Sequence, residues 1–145
     1  MSAAKDHRLI YLLTVAQRRV QRAVAASAVE SVSPAQAGLL FVLGRQDGIL
    51  MGEAGAALDL GPAAISGLVD RMVAAGLVGR RADERDARAF RIYLTAKGRK
   101  ARLRAKQTAR ATNARLAQGF SEAEIDIVAR WLTSIQGKFP KGDGE

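Results

Sequence analysis

Apolar residues recur at helical spacing through the first part of the chain, residues 7–30. No glycine or proline interrupts this segment, and its apolar positions are Leu9, Ile10, Leu12, Leu13, Val15, Val20 and Val24. The pattern predicts one long helix. A second helix is predicted from Ser33 to about Gly44, because Ser33 can cap it, Pro34 suits its first position and Gln36 completes a capping box. This second helix is apolar on nearly every side, so we expect it to be buried.

Two shorter helices joined by a tight turn are predicted next, after the turn sequence at 46–48. The first runs from Glu53 to Leu58, the turn is Asp59-Leu60-Gly61, and Pro62 begins a helix that reaches about Ala75. Gly76 is well placed to end it. The apolar stripe of the longer helix is Ile65, Leu68, Val69 and Met72. This arrangement is typical of a helix-turn-helix.

The hydrophobic period changes to two after this unit. Residues 77–81 and 90–94 predict two strands, and the polar residues 82–87 predict the turn between them. The second strand alternates, with Arg91 and Tyr93 on one face and Phe90, Ile92 and Leu94 on the other. We therefore expect a hairpin with a charged tip.

Two further helices complete the predicted elements. Thr95 can cap a long helix that reaches about Gln118. Ser121 and Glu124 form a second capping box, which begins a helix over 121–139. The apolar stripe of this last helix is Ile125, Val128, Trp131, Leu132 and Ile135.

A helix-turn-helix followed directly by a hairpin is the winged-helix arrangement. The fold class is therefore mainly α with a small β-hairpin (α+β). A helix fits the major groove of DNA, and an arginine at a hairpin tip can reach the minor groove. We expect 33–95 to be a winged helix-turn-helix DNA-binding domain. The terminal helices have no obvious partner within that unit, so 7–31 and 96–139 are interpreted as a helical dimerisation region.

The positive charge of the chain is concentrated in one segment. The 145 residues carry a net charge of +9, whereas the segment from Arg71 to Arg115 alone has 14 basic and 3 acidic residues. Clustered positive charge gains free energy by releasing counterions from a nucleic acid. Charge alone would equally suit an anionic membrane surface or a solvated helix face. The choice of DNA depends on the predicted architecture.

Composition argues against catalytic and metal chemistry. The chain has no cysteine and a single histidine, His7. A disulfide framework, a thiolate zinc site and a thiol redox sensor are therefore excluded, and we predict neither a metal site, nor a cofactor, nor an enzyme. The acidic residues of the turn at 82–87 are interpreted as a solvated turn with local arginine pairing. No apolar run is long enough to span a membrane, and the N-terminus lacks a signal core, so we expect a cytoplasmic protein.

The spaced residues from Leu68 to Gly98 resemble the MarR family of bacterial transcriptional regulators. The resemblance rests on Leu68-Val69-Asp70-Arg71-Met72, Gly76-Leu77-Val78, Arg80-Arg81, Asp83-Glu84-Arg85-Asp86-Ala87-Arg88 and Leu94-Thr95-Ala96-Lys97-Gly98. It implies a homodimer that binds double-stranded DNA at a pseudo-palindromic operator, and a ligand-responsive repressor. The alternative is a nonspecific or architectural DNA-binding protein.

The resemblance also implies which residues contact DNA. Arg88 would enter the minor groove from the wing tip, and Asp86 would stabilise that tip through an ion pair with a nearby arginine. Arg71 matches the family's arginine that contacts the DNA backbone or forms an ion pair. The full set expected at the DNA is Ala63, Ala64, Ser66, Gly67, Arg71, Arg81, Arg85 and Arg88.

Two departures from the family pattern affect these expectations. Gly67 stands where many relatives carry a longer polar residue, so sequence reading is expected to depend on methyl contacts, the wing and DNA shape. Ala54-Gly55 replaces the usual Leu-Ala of the preceding helix, which we expect to loosen its packing.

A ligand pocket is implied only by the resemblance. Many relatives bind an effector between the dimerisation and DNA-binding regions, which here implicates His7, Tyr11 and Phe41. A small aromatic or phenolic acid is the expected effector class. Alternatively, Tyr11 and Phe41 belong to the core or to the dimer interface. His7 would then be an ordinary surface side chain.

Overall fold

The computed structural model describes residues 7–27 and 32–140. The predicted end of the first helix at 28–30, and residue 31 of the predicted dimerisation region, lie outside the described residues. The elements of the described chain are α1 (Leu9–Ser27), α2 (Pro34–Arg45), β1 (Ile49–Leu50), α3 (Met51–Ala57), α4 (Pro62–Ala74), β2 (Val78–Ala82), β3 (Phe90–Leu94), α5 (Ala96–Ala117) and α6 (Glu122–Lys138). The predicted class, mainly α with a small β-hairpin in a winged helix-turn-helix, is confirmed.

Both predicted capping boxes are present. The Ser33 hydroxyl accepts a hydrogen bond from the Gln36 amide at 3.2 Å, and the Gln36 side chain accepts one from the Ser33 amide at 3.0 Å. Ser121 and Glu124 make the same reciprocal pair at the start of α6. Each box satisfies two amide groups at its helix start, which fixes where α2 and α6 begin.

The sheet has one strand that the hydrophobic pattern did not predict. The strand order is β1-β3-β2, and both pairings are antiparallel. The two residues of β1 place Ile49 opposite Ile92, and the amide of Gly48 donates to the Ile92 carbonyl at 2.9 Å. Asp47 adds a further link, because its carboxylate accepts from the Leu94 amide at 2.8 Å. The turn after α2 is thereby bound to the central strand.

A single apolar cluster lies between α2, the helix-turn-helix and the sheet. It contains the predicted stripe of α4, and its residues from α2 and β3 are fully buried. The largest fully buried side chains in it are Leu39, Leu40, Leu43, Leu68, Met72, Ile92 and Val69. Burying a leucine or methionine of this size contributes about 1.5–3 kcal/mol, so this cluster holds α4 in place against the rest of the domain.

The end of α4 and the start of α5 are joined closely. Gly76 adopts a φ of +74° and its amide donates to Val73, while the Leu77 amide donates to Met72, which is a Schellman motif. The Thr95 hydroxyl donates to the Gly76 carbonyl at 2.6 Å and accepts from the Gly98 amide at 3.0 Å. Thr95 therefore caps α5, as predicted, and also binds it to the preceding turn.

Gly98 is required for this close approach. A Cβ atom at position 98 would collide with the carbonyl group of Leu77. Thr95 and Gly98 therefore lie where the start of α5 packs directly on the turn that follows α4.

The described chain forms two compact units that divide at Thr108 and Ala109, within α5. The first unit contains the helix-turn-helix and the sheet. In the second unit, α6 presents its predicted apolar stripe, of which Val128 is 47% and Leu132 44% exposed. The interpretation of 33–95 as the DNA-binding domain and of 7–31 and 96–139 as a dimerisation region stays a prediction. Among the described helices, none is long and apolar enough to cross a membrane.

Candidate nucleic-acid interface

The turn of the helix-turn-helix is closed by main-chain hydrogen bonds. The Asp59 amide donates to Ala56 and the Leu60 amide to Gly55, with Asp59 in the left-handed region at φ +58°. This is again a Schellman motif, here with aspartate where glycine is usual. Gly61 then begins α4 without a side-chain cap, and Pro62 occupies the first helical position.

The packing inside this turn is tight. A Cβ at Gly55 would lie 3.1 Å from the Leu60 carbonyl oxygen and 3.2 Å from Cγ2 of Ile65. Ala54 is fully buried. The expectation that Ala54-Gly55 loosens this packing is therefore wrong at Gly55, since Leu60 and Ile65 have closed on the glycine and would have to shift to admit a Cβ atom.

The solvent-facing side of α4 is formed mostly by small residues. Ala63, Ala64 and Arg71 are exposed, whereas Ser66 and Gly67 are half-buried. A Cβ at Gly67 would lie 3.4 Å from Nη1 of Arg71, so the guanidinium group lies over the glycine one turn earlier in the helix. The predicted recognition face thus has one long cationic side chain, held above its smallest residue.

Asp70 also lies on the exposed side of α4, and its charge is balanced by the wing. Arg80 on β2 donates to its carboxylate at 2.8 Å. This pair joins the recognition helix to the hairpin and offsets the repulsion that a carboxylate would exert on nearby phosphates. With the side chains 34% and 56% exposed, the pair contributes little to stability by itself.

The wing is the hairpin of β2 and β3 with its connecting turn, and Arg91 connects it to the domain. Nε of Arg91 donates to Asp83 at 2.6 Å, and its Nη1 donates to the carbonyl group of Gly48 at 2.8 Å. The hydrogen bond from Arg91 lowers the pKa of the Asp83 carboxyl below its usual value, with further lowering by the Arg91 charge and by the amides of Asp86 and Arg85, against an opposing effect of burial. Conversely, Asp83 raises the pKa of Arg91.

The tip of the wing is ordered by two aspartates in succession. Asp83 accepts from the Asp86 amide at 3.2 Å, and Asp86 accepts from the Arg88 amide at 3.0 Å. Asp86 therefore contacts the main chain of the tip, and the ion pair that we expected it to form is made in this turn by Asp83. Arg85 and Arg88 are both exposed at this tip.

Arg81 lies on the outer face of the wing, opposite Arg91 in the strand register. Like charges in such a position repel, but each arginine here has its own partner. Arg81 stacks over the ring of Tyr93 with its guanidinium carbon 4.9 Å from the ring centre, while Arg91 is bound to Asp83. Stacking leaves the edge of the Arg81 guanidinium available for hydrogen bonds.

The three residues implicated in ligand binding lie on α2 and at the start of α1. Tyr11 is 54% exposed, and the Arg8 guanidinium lies 4.5 Å from its ring centre. His7 is exposed and Phe41 is half-buried. Among the described residues, no hydrogen bond, ring contact or ion pair joins Phe41 to either of the other two, so their role in a ligand site stays a prediction.

Comparison with known proteins agrees with this architecture. The family model of MarR proteins matches residues 30–89. A MarR-family transcriptional regulator from Rhodococcus sp. RHA1 is 28% identical, with a TM-score of 0.80 over 93% of this chain and 96% of that one. The chain is thus similar to the MarR family in sequence over residues 30–89 and in fold over nearly its whole length. No curated protein gives a significant sequence match.

Two further solved structures resemble this chain. A probable transcriptional regulator from Pseudomonas aeruginosa is 25% identical, with a TM-score of 0.83 over 90% of this chain and 98% of that one. The transcriptional repressor CouR, solved bound to a 23-mer DNA duplex, is 26% identical, with a TM-score of 0.80 over 92% of this chain and 99% of that one. The family-model match and these structures support a DNA-binding transcriptional regulator.

Several residues that shape this interface were missed by the sequence reasoning. Asp83 and Arg91 form the ion pair of the wing, Asp70 and Arg80 join the wing to α4, and Tyr93 supports Arg81. The alternation of 90–94 already placed Arg91 and Tyr93 on the outer face. Counting back through the hairpin register would have placed Arg81 beside them, whereas the Asp70–Arg80 pair depends on how α4 packs on the sheet.

Proposed function

We propose that this chain, which resembles MarR-family regulators, is a sequence-specific repressor that binds a pseudo-palindromic operator as a homodimer and is regulated by a small effector. The observation that supports DNA reading most directly is the pairing of an exposed α4 face with an arginine-bearing wing tip on one rigid domain. Ala63, Ala64, Ser66, Gly67 and Arg71 would face the major groove, and Arg81, Arg85 and Arg88 the flanking backbone and minor groove. Because the partner is genomic DNA, we place the protein in the cytoplasm.

Wing rigidity supports a role for Arg88 in the minor groove. The tip is bound to the domain through Asp83, Arg91 and the carbonyl group of Gly48, and the Arg88 amide donates to Asp86, so hydrogen bonds hold the main chain that carries Arg88. A tip with an ordered main chain loses less conformational entropy on binding than a mobile loop. A narrow minor groove concentrates negative potential and would hold such a side chain.

The proposed homodimer is supported by apolar side chains that remain exposed on the terminal helices. Ile10 of α1 is 85% exposed, and α6 carries the exposed stripe with Val128 and Leu132. Apolar residues grouped along one helix face in a single chain mark an interaction surface. A two-fold dimer would present two α4 helices to half-sites about one helical turn of DNA apart.

The proposed effector site is built from residues of α2 and of the N-terminal part of the described chain. His7, Tyr11 and Phe41 would contact a small aromatic or phenolic acid, and Arg18, Arg19 or Arg22 on α1 would bind its carboxylate. Such a ligand would lower operator affinity only if it bound the DNA-free state more tightly. Titration of the operator complex with benzoate and 4-hydroxybenzoate tests this step, and unchanged DNA affinity at saturation would exclude that ligand class.

The deciding experiment compares two duplexes at one salt concentration. The dissociation constant is measured for DNA upstream of the coding gene and for a random duplex of equal length. A specific regulator should bind its own site about a thousandfold or more tightly than random DNA. A ratio near one would instead support the architectural alternative, which the small side chains of α4 favour.

A further inference from the structure

The exposed side of α4 can be defined from its buried side. Its core positions are Ile65, Leu68, Val69 and Met72. At about 100° per residue, the positions opposite this stripe are 63, 67, 70 and 74, with 66 and 71 at their edges. Together with the exposed Ala64 beside them, these are the positions from which α4 can contact bases.

Few of these positions can donate a hydrogen bond to a base. Ala63 and Ala74 offer only methyl groups, Gly67 has no side chain, and Ser66 is half-buried. The carboxylate of Asp70 is held by Arg80 at 2.8 Å. Arg71 is exposed, and no ion pair of Arg71 is found among the described residues.

Arg71 is directed toward the centre of this face by helix geometry. Helical side chains lean toward the N-terminus, so a long side chain covers the residue one turn before its own Cα. For Arg71 that residue is Gly67, and its Nη1 lies 3.4 Å from where a Cβ of residue 67 would be. A side chain at position 67 would occupy the surface that the guanidinium group now covers.

We propose that Arg71, lying over Gly67, reads a guanine in the major groove of each operator half-site. The inference rests on the proposed DNA-binding function and assigns the base that α4 recognises. A guanidinium group forms two parallel hydrogen bonds with O6 and N7 of guanine, a pattern that no other base presents. Gly67 is then a specificity-determining position, because its missing side chain leaves room for Arg71 at the middle of the recognition face.

Selection of bound duplexes from a randomised library tests this assignment with the full chain. Wild type should yield a consensus with a guanine in each half-site. Arg71→Ala should reduce the preference for that guanine by about 5- to 150-fold, while leaving the other positions of the consensus unchanged. Arg110→Ala is the control, because it removes the same charge from the exposed surface of α5 in the second compact unit.

Two further measurements separate base reading from phosphate binding. Replacing the guanine with 7-deazaguanine removes N7, and should weaken wild type but not Arg71→Ala. If Arg71 instead binds a phosphate, Arg71→Ala will keep the same consensus and lower the slope of log K against log salt by about one, which overturns the inference. A wild type that selects no consensus would overturn the proposed sequence-specific function itself.

The role of Gly67 has its own variant. Gly67→Leu fills the surface beneath the guanidinium group and should remove the guanine preference as Arg71→Ala does. The double variant should then prefer guanine over the other bases no less than either single variant does, because both changes remove the same interaction. Retained guanine preference in Gly67→Leu, with thermal unfolding confirming that the variant is folded, would show that Gly67 has no such role.

Discussion

Arg91 donates to the Asp83 carboxylate at 2.6 Å while its other nitrogen reaches the carbonyl group of Gly48 at 2.8 Å. One guanidinium group therefore links the connecting turn of the wing to the turn that follows α2. Since Asp83 also accepts from the Asp86 amide, the arrangement of the wing tip depends on the charge of this carboxylate. Its protonation should loosen the tip.

The Asp83 carboxylate should make stability depend on pH. Its pKa is lower in the folded chain than its ordinary value of 3.8, so its stabilising effect is present above that value and is lost as the pH falls through the folded-state pKa. Asp83→Asn should therefore lower the free energy of unfolding near neutral pH, and the difference from wild type should shrink as the pH falls below 3.8. Urea denaturation across this range measures it.

Glu84→Gln is the control for that series, because Glu84 is exposed in the same turn and makes no ion pair among the described residues. A difference between wild type and Asp83→Asn that stays constant down to the lowest pH would contradict the role given to this carboxylate.

Arg88 should contribute to operator affinity from the wing tip. Arg88→Ala is expected to weaken binding by about 1–3 kcal/mol, because an inserted arginine is lost from the minor groove. Fluorescence anisotropy with the operator duplex measures the change, and Arg110→Ala again controls for the loss of one charge. Equal affinities for wild type and Arg88→Ala would show that the wing tip does not enter the groove.

Asp70 and Arg80 should act as a pair in DNA binding. Arg80→Ala leaves the Asp70 carboxylate unbalanced on the exposed side of α4, so operator affinity should fall. Asp70→Asn in the same chain should recover part of that loss, although it adds no new contact. Stability should change by no more than about 1 kcal/mol in either variant. The absence of any recovery would mean that Arg80 acts by itself rather than through Asp70.

Gly98 and Gly137 provide a matched pair of helical glycines. Gly98→Ala places a methyl group against the Leu77 carbonyl and should destabilise the chain by about 1–3 kcal/mol. Gly137→Ala on α6 meets open space and should stabilise it by about 0.5–1 kcal/mol, since alanine is the better helix former. Thermal unfolding of both variants compares them. If both variants shifted the unfolding temperature in the same direction, the close approach of Gly98 to the Leu77 carbonyl group would be contradicted.

The exposed stripe of α6 should support dimerisation. Val128→Glu with Leu132→Glu places two charges on it, and sedimentation should show a monomer that retains its helical circular dichroism. Glu122→Ala, outside the stripe, is the control. A variant that still sediments as a dimer would place the subunit interface elsewhere.

The sequence predicted the helices well because their signals are local. Capping pairs such as Ser33 with Gln36, and the four-residue stripe of α4, depend on residues one turn apart. The two-residue strand β1 could not be predicted in this way, because Ile49 and Leu50 are too short a run to show a period and are fixed by pairing with β3. For the same reason the partner of Arg91 could not be identified, since Asp83 and Asp86 are both within reach until the hairpin register is known.

The contacts of Thr95 and Gly98 should also restrict insertions and deletions at the start of α5. Each residue of an α-helix turns the chain by about 100°, so inserting one residue there would rotate everything beyond it by that angle relative to Gly76 and Leu77. Thr95 and Gly98 would then no longer meet the groups that they now contact. Insertions and deletions should accordingly be eliminated between Leu94 and Gly98.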